Sequence, residues 1–264
     1  MSTNRLKSML DEGGTAFGAW CVLGSPVAAE LCSVEAADYL CVDLQHGLGH
    51  LDAMIPMLMV IGRTGASPIV RVPSNQAHHI GKALDAGAEA VIVPMVNSRS
   101  EAERAVEACR YAPGGARSFG PVRARLFLNQ ERPSEVNEQV LCIVMIETIG
   151  AVELADEICS TPGVDGVYVG PADLALTMGV APGFDELPRA HGEAIEHVRL
   201  SCEARGIVAG IHTSGGEQSR AYAKAGFRML TVSTDAALLR MAVHRELAIA
   251  RGGADEAARS GGYA

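Results

Sequence analysis

The sequence predicts a single (β/α)8 barrel, an α/β fold, and three observations support this prediction. Eight short apolar runs alternate with eight longer segments in which apolar residues recur at helical spacing. Ala, Val, Ile, Leu and Gly dominate the composition, and only 4% of the residues are aromatic, which is typical of strands covered by helices. The length, 264 residues, is close to the ~250 residues of this fold. A doubly wound open sheet is disfavoured by the strand count and by the lack of a GxGxxG fingerprint after the first strand.

The predicted strands are short, mainly apolar runs, as expected of strands buried on both faces of a parallel sheet. They lie at 17–23, 39–45, 67–73, 90–96, 141–148, 166–172, 207–213 and 229–235.

The predicted helices fill the segments between the strands, and several end in glycine, as helix C-termini commonly do. They lie at 25–37, 51–65, 75–87, 98–112, 149–161, 190–206, 216–226 and 235–252. We therefore predict one domain over 1–264, with a mobile Gly- and Ala-rich tail from about residue 252.

One connection, between the fourth helix and the fifth strand, is about thirty residues long, which is unusual inside a compact domain. Such loops are functional or disordered, and we expect partial order here. Arg117, Arg123 and Arg125 lie in this segment. They either contact an anionic ligand or a neighbouring subunit, or remain solvated at the surface.

Charge and hydropathy exclude several classes of partner. The formal net charge is −9 and the arginines form no stripe, so nucleic acid and anionic membranes are unlikely partners. No segment approaches the ~20 uninterrupted apolar residues of a spanning helix, and the N-terminus lacks the apolar core of a signal peptide. The seven cysteines form no C-x-x-C pair and are interpreted as reduced, buried side chains. A cytoplasmic protein is expected.

Two carboxylates stand at the ends of neighbouring predicted strands, where barrel enzymes place their functional residues. Glu147 ends the fifth strand and Asp173 follows the sixth. Neighbouring strands are ~4.8 Å apart, so these like charges need a counter-ion, and a divalent cation such as Mg²⁺, Mn²⁺ or Co²⁺ suits oxygen ligands. Alternatively, Asp173 caps the following helix. Capping leaves Glu147 at the end of an apolar strand without an explanation, so the metal site is favoured.

Arg71 lies in the third predicted strand among apolar residues, where its guanidinium requires a fixed anion. A substrate carboxylate suits its planar donors. A buried ion pair with an acid at a neighbouring strand end is the alternative.

Asp43 and His46 end the second strand, in the stretch VDLQHG. An imidazole oriented by a carboxylate can transfer a proton near pH 7. A lone histidine is more often structural, but the convergence of acids, arginine and histidine at one barrel face favours catalysis. His212 at the end of the seventh strand is a second candidate for this face, whereas His50, His78, His79, His191, His197 and His244 are assigned to surface or capping positions.

The lysines exclude one mechanism. The chain has only Lys7, Lys82 and Lys224, all predicted away from strand ends, so none is placed to form a Schiff base. An aldolase at this face would have to use a metal ion to polarise the substrate carbonyl.

Several stretches together resemble the HpcH/HpaI family of metal-dependent class II pyruvate aldolases. They are VDLQHG, IVRVP, AGAEAVIVPMV, YAPGGARSFGP, VMIET, GVDGVYVGPADLA and VSTD, in order between about residues 17 and 251. The resemblance implies retro-aldol cleavage of 4-hydroxy-2-oxo acids to pyruvate and an aldehyde. It also implies homo-hexamers and a C-terminal helix exchanged between subunits.

The resemblance also implies roles for residues at the strand ends. Glu147 and Asp173 match the metal ligands, Arg71 the residue that holds pyruvate, and His46 with Asp43 the proton-transfer dyad. The backbone at Gly170, Pro171 and Ala172 matches the turn that receives the pyruvate carboxylate, next to Asp173.

Two positions depart from the family pattern: many members have Glu at Gln45 and Gln at Met145. These departures bear on substrate preference and efficiency. One alternative keeps the site but changes the reaction, to that of a β-hydroxyacyl-CoA lyase or an oxo-acid decarboxylase. A second alternative is a barrel that has lost catalysis, as the two departures would mark, and serves as a scaffold.

Overall fold

The structure is a computed structural model, and it describes residues 4–35, 37–128, 132–182 and 187–252. The tail that was predicted to be mobile, from about residue 252, lies almost entirely outside the described residues.

Eight parallel strands close into a barrel in which each strand pairs with its neighbours in the chain and β1 pairs with β8. The predicted (β/α)8 barrel is confirmed. The strands are β1 (Ala16–Cys21), β2 (Tyr39–Asp43), β3 (Ser67–Arg71), β4 (Ala90–Val93), β5 (Leu141–Ile146), β6 (Gly166–Val169), β7 (Val208–His212) and β8 (Met229–Thr234).

The helices surround this barrel. They are α1 (Arg5–Asp11), α2 (Pro26–Ser33), α3 (Leu51–Ile61), α4 (Ala77–Asp85), α5 (Arg99–Cys109), α6 (Val122–Leu128), α7 (Pro133–Gln139), α8 (Ile149–Glu153), α9 (Ala155–Cys159), α10 (Pro171–Thr177), α11 (Arg189–Arg205), α12 (Gly216–Ala225) and α13 (Asp235–Ala250). None of these helices is both long and apolar enough to cross a bilayer. The three lysines lie on α1, α4 and α12, away from the strand ends, as predicted.

Several strands end earlier than predicted, and α1 was not predicted; two differences and one confirmed expectation bear on the site. Strand β6 ends at Val169, earlier than predicted, because Pro171 has no N–H for a sheet and instead begins α10. The helix predicted at 149–161 is two short helices that meet at Leu154, whose φ and ψ of −104° and 14° are not helical. The long connection contains α6 and α7, which confirms its predicted partial order.

The arginines of that connection are structural where they are buried. Arg117 pairs with Asp85 at 2.7 Å, and its guanidinium lies 4.4 Å from the centre of the Tyr111 ring. Arg123 donates a hydrogen bond to the carbonyl of Ala86. The solvated alternative is wrong for Arg117, whose side chain is 1% exposed, and both arginines hold the loop against the end of α4. A contact of these arginines with an anionic ligand or a neighbouring subunit stays a prediction. Arg125 is exposed.

The barrel interior is filled by large side chains opposite glycines. Tyr39 and Tyr168 are fully buried, and both hydroxyls bond to Thr231 Oγ1. A Cβ at Gly18 would lie 2.6 Å from the Tyr39 ring, and one at Gly210 would lie 2.7 Å from the Tyr168 ring. These glycines therefore admit the two tyrosines, which fill the interior below the strand ends.

Candidate active site

The carboxyl ends of the strands open into a cavity of about 960 Å³. Its barrel side is lined by Trp20, Asp43, His46, Arg71, Asp173 and His212. Its other side is formed by apolar residues of the last helix, including Leu239, Val243 and Leu247 of α13. The cavity is thus lined by strand ends from both halves of the barrel and by the last helix of the described chain.

Asp43 and Arg71 form a buried, two-pronged ion pair. They are paired across β2 and β3, and Arg71 donates from Nε to Oδ1 at 2.8 Å and from Nη2 to Oδ2 at 2.6 Å. The side chains are only 1% and 8% exposed, respectively. Burial disfavours both charges, but the pairing outweighs it, so the pKa of Asp43 is lowered and that of Arg71 is raised. Of the two alternatives for Arg71, the structure shows the ion pair with a neighbouring strand-end acid.

Asp43 also organises the loop that carries His46. Its Oδ1 accepts the backbone N–H of Gln45 at 3.0 Å and that of His46 at 3.4 Å. The predicted contact between the Asp43 carboxylate and the His46 imidazole is not among the contacts of the described residues. The carboxylate instead accepts from Arg71 at both oxygens and from the two amides at Oδ1. The His46 side chain lies at the mouth of the cavity.

An aromatic pair supports Arg71 from β1 and β7. The Arg71 guanidinium lies 4.3 Å from the centre of the Trp20 ring, and His212 meets the same ring edge-on at 5.0 Å. His212 is buried and lines the cavity, as the sequence suggested. Burial, followed by the nearby Arg71 charge, lowers its pKa to about 4, so its imidazole is neutral at pH 7.

Glu147 follows β5 and is 1% exposed. Its Oε1 accepts the backbone N–H of Met95 at 2.7 Å, and its Oε2 lies beside Gly170, where an added Cβ would be only 2.7 Å from that oxygen. Burial is the main cause that raises the pKa of Glu147 to about 6, and the charge of Asp173 adds to the increase. The negative charge of Asp173 is thus among the influences on the Glu147 carboxyl.

Asp173 lies in the first turn of α10, which begins at Pro171. The N-cap is Gly170 and no side chain caps this helix, so the alternative capping role of Asp173 is wrong. His191 of α11 is buried and donates from Nε2 to the carbonyl of Pro171 at 2.8 Å. The surface or capping position predicted for His191 is therefore also wrong, because this histidine anchors the turn that carries Asp173.

The donor set fits a divalent cation with oxygen ligands. The contacts of the described residues give Glu147 Oε2 no hydrogen bond, and Asp173 faces the cavity. Two carboxylates suffice for a cation that completes its coordination with water or a chelating substrate. Among the described residues, no group of three or more His, Cys, Asp or Glu side chains is arranged to hold a metal ion. The described residues therefore offer no second metal site with three or more such ligands.

The two departures from the family pattern both lie close to these groups. Met145 is 2% exposed, and its Cε would be 3.2 Å from a Cβ at Gly170. Gln45 is half-buried and follows Asp43 in the same loop.

Trp20, Met95 and His191 were not identified as site residues from the sequence. Trp20 stands near a strand end like the identified residues but has no ionisable group. Met95 acts through its backbone N–H, and His191 comes from a helix remote in the chain. Of these three residues, only Trp20 could have been found from the sequence, by its position near the end of a predicted strand.

Comparison with known proteins agrees with this geometry. Residues 16–242 match the HpcH/HpaI aldolase/citrate lyase family. The chain belongs to this family. The predicted resemblance is thereby confirmed.

Its relatives in this family include named aldolases. The chain is 38% identical over 248 residues to the hydroxypyruvate/pyruvate aldolase of Rhizorhabdus wittichii, covering 94% of this chain and 99% of that protein. It is 34% identical over 260 residues to the 4-hydroxy-2-oxo-heptane-1,7-dioate aldolase of Escherichia coli, covering 97% of both. A crystal structure of a family member from Burkholderia cenocepacia superimposes with a TM-score of 0.88 at 31% identity, covering 94% of this chain and 100% of that one.

Proposed function

We propose that the protein is a divalent-metal-dependent class II aldolase that reversibly cleaves 4-hydroxy-2-oxo acids to pyruvate and an aldehyde. The observation that carries this proposal is the buried Glu147 carboxylate at a barrel end, within the electrostatic reach of Asp173 and Arg71. Membership of the HpcH/HpaI family, with aldolases among the relatives, supports the same reaction class.

Glu147 and Asp173 would hold the cation, which we expect to be Mg²⁺, Mn²⁺ or Co²⁺. A bound divalent cation would polarise the substrate carbonyl and stabilise the negative charge that develops on its oxygen.

Arg71 would bind the oxygen atoms of the 2-oxo acid. Two of its five N–H groups are directed to Asp43, so three remain for a ligand in the cavity. Because Asp43 and the Trp20 ring fix the guanidinium, little side-chain entropy is lost on binding. The turn of Gly170, Pro171 and Ala172 at the start of α10 would receive the substrate carboxylate, since the first-turn N–H groups of a helix lack intrahelical partners. Pro171 has no N–H and the N–H of Gly170 donates to the carbonyl of Ile146, so Ala172 would supply the N–H donor of this turn.

His46 would move the proton of the 4-hydroxyl group. Its loop is fixed by Asp43 through the backbone, and its imidazole at the cavity mouth can exchange protons with water. Removal of this proton lets the bond between C3 and C4 break, with release of the aldehyde. The electron pair passes to the pyruvate enolate, which takes up a proton at C3.

The proposal is tested by pyruvate release from a 4-hydroxy-2-oxo acid after treatment with a chelator. We expect turnover to disappear with the metal and to return on addition of Mn²⁺, Mg²⁺ or Co²⁺. Glu147→Gln should abolish this metal-dependent turnover, whereas Glu153→Gln, an exposed glutamate on α8, should retain it. Full activity of the chelated protein would refute the proposal.

The other two functions make different predictions for the same site. A β-hydroxyacyl-CoA lyase would release product from thioesters in preference to free acids, and a decarboxylase would release CO₂. A scaffold without catalysis would not exchange the C3 protons of pyruvate in D₂O with added Mn²⁺. The names of the relatives do not favour these functions.

We further propose a homo-oligomer, a hexamer by resemblance to the family, in which α13 is exchanged between subunits. Within one chain α13 buries only Asp235 among its described residues, while Leu238, Leu239 and Val243 are 42%, 58% and 51% exposed. Such an apolar helix face supports contact with another subunit. A cytoplasmic location is also part of the proposal, and it is supported by free thiols at all seven cysteines, six of which are buried.

A further inference from the structure

The backbone after β4 adopts a conformation that is unusual for its sequence. Met95 has a φ of 55°, and it is the only residue other than glycine with a positive φ in the part of the chain that the structure describes. This left-handed conformation is unfavourable for an L-residue with a side chain and persists only where its surroundings stabilise it. The Met95 side chain is 46% exposed, so packing of that side chain does not explain the conformation.

The conformation directs the Met95 amide to Glu147. The N–H donates to Oε1 at 2.7 Å, which fixes one carboxylate oxygen and leaves Oε2 on the side of Gly170. The same turn is also joined to β5 by a hydrogen bond from Val96 N to the carbonyl of Met145, at 3.1 Å.

Asn97 holds this turn from the other side. Its Nδ2 donates to the carbonyl of Met95 at 2.8 Å, and its Oδ1 accepts from the Thr148 hydroxyl. Thr148 follows Glu147 directly and begins α8, where its Oγ1 also accepts from Ala151 N at 3.1 Å. The Asn97 side chain therefore links the residue whose amide binds Glu147 to the residue next to Glu147.

We propose that Asn97 is a positioning residue that, through Met95 and Thr148, orients the Glu147 carboxylate so that Oε2 is presented to the cation. This inference rests on the proposed function, because it assigns Glu147 to a metal site. Residues that orient a metal ligand in this way typically change metal affinity by about 10–100-fold when they are removed.

The test is the affinity of the metal-free protein for Mn²⁺, measured from the electron paramagnetic resonance signal of the free ion. Asn97→Ala removes both side-chain bonds, and we expect the dissociation constant for Mn²⁺ to rise about tenfold or more. Ser98→Ala is the matched control. It removes the hydroxyl that caps α5 by accepting from Glu101 N at 3.3 Å, and this hydroxyl has no contact with Met95 or Glu147. Its dissociation constant should stay close to the wild-type value, with a similar melting temperature.

A second pair of variants tests the inference independently of whether Asn97→Ala folds. Thr148→Ser keeps the hydroxyl and should bind Mn²⁺ like the wild type, whereas Thr148→Val should bind it more weakly. Wild-type affinity in both Asn97→Ala and Thr148→Val would overturn the inference and leave the proposed function intact. If the wild type and Glu147→Gln both failed to bind Mn²⁺, the proposed metal site itself would be wrong, and the inference with it.

Discussion

The pair of Asp43 and Arg71 shows how one contact can serve stability and function at the residue scale. Two buried charges are acceptable only when each compensates the other, and removal of one partner leaves the second uncompensated. The bidentate geometry meets this requirement and still leaves donors of Arg71 directed to the cavity.

We predict that Asp43→Asn lowers the free energy of unfolding by about 3 kcal/mol, because it leaves the Arg71 charge buried without its partner. Chemical denaturation at pH 7 measures this loss. The control is Asp11→Asn, which breaks the exposed pair of Lys7 and Asp11 and should cost less than about 1 kcal/mol. Equal effects of the two substitutions would contradict the assignment of a buried pair.

Glu147 predicts a pH dependence of stability in the metal-free protein. Its pKa is raised from 4.5 to about 6, so the unfolded chain loses this proton at lower pH than the folded protein does. The contribution of Glu147 to the free energy of unfolding is fully present below about pH 4.5, where the carboxyl is protonated in both states. This contribution is lost as the pH rises through 6, where the folded protein also loses the proton. The shift corresponds to a loss of about 2 kcal/mol.

The measurement is the free energy of unfolding in chelator, below the unfolded-state pKa of 4.5 and again near pH 7. The wild type should lose about 2 kcal/mol more than Glu147→Gln over this interval, because glutamine does not ionise. Glu153→Gln should follow the wild type. A Glu147→Gln protein with the same pH dependence as the wild type would show that Glu147 is not a carboxyl with a raised pKa.

At the scale of elements, the site depends on connections between strand ends and helices. The turn that begins α10 carries Asp173, whose charge acts on Glu147, and α11 holds this turn through His191. The sequence predicted that an acid follows β6 but not that a helix remote in the chain fixes its position.

We predict that His191→Phe destabilises the fold by about 1–3 kcal/mol, because the buried carbonyl of Pro171 loses its donor. It should also weaken Mn²⁺ binding, since the first turn of α10 becomes less fixed. Both quantities can be measured by denaturation and metal titration. His197→Phe is the control on the same helix, and its exposed side chain should change neither. Loss of stability without any change in Mn²⁺ affinity would limit His191 to a structural role.

At the scale of the whole molecule, α13 leaves a row of apolar side chains exposed in a single chain. Leu239, Val243 and Leu247 of α13 both line the cavity and remain 58%, 51% and 47% exposed. Val27 and Leu31 on α2 add apolar surface on an adjoining helix.

We predict that the wild type is a homo-oligomer and that Leu239→Asp with Val243→Asp reduces its mass in solution, because charges on this face oppose burial between subunits. Size-exclusion chromatography with light scattering measures the mass. Leu200→Asp, at an exposed apolar position on α11, is the control and should leave the mass unchanged. A monomeric wild type would refute the proposed oligomer.

The sequence by itself determined the barrel and the strand-end positions of Asp43, Arg71, Glu147 and Asp173. It could do so because apolar periodicity depends on local residues and because parallel strands of one barrel direct their carboxyl ends to one face. The order of the strands follows from the same rule, since consecutive strands in such a barrel are neighbours.

Only the tertiary structure decided which of these groups bond to one another. Asp43 binds Arg71 rather than the His46 imidazole, and Glu147 binds the backbone of Met95. These choices depend on side-chain directions, on the left-handed turn at Met95 and on helices far away in the chain. Distances of this kind arise from packing between remote segments, which residue spacing along the chain does not specify.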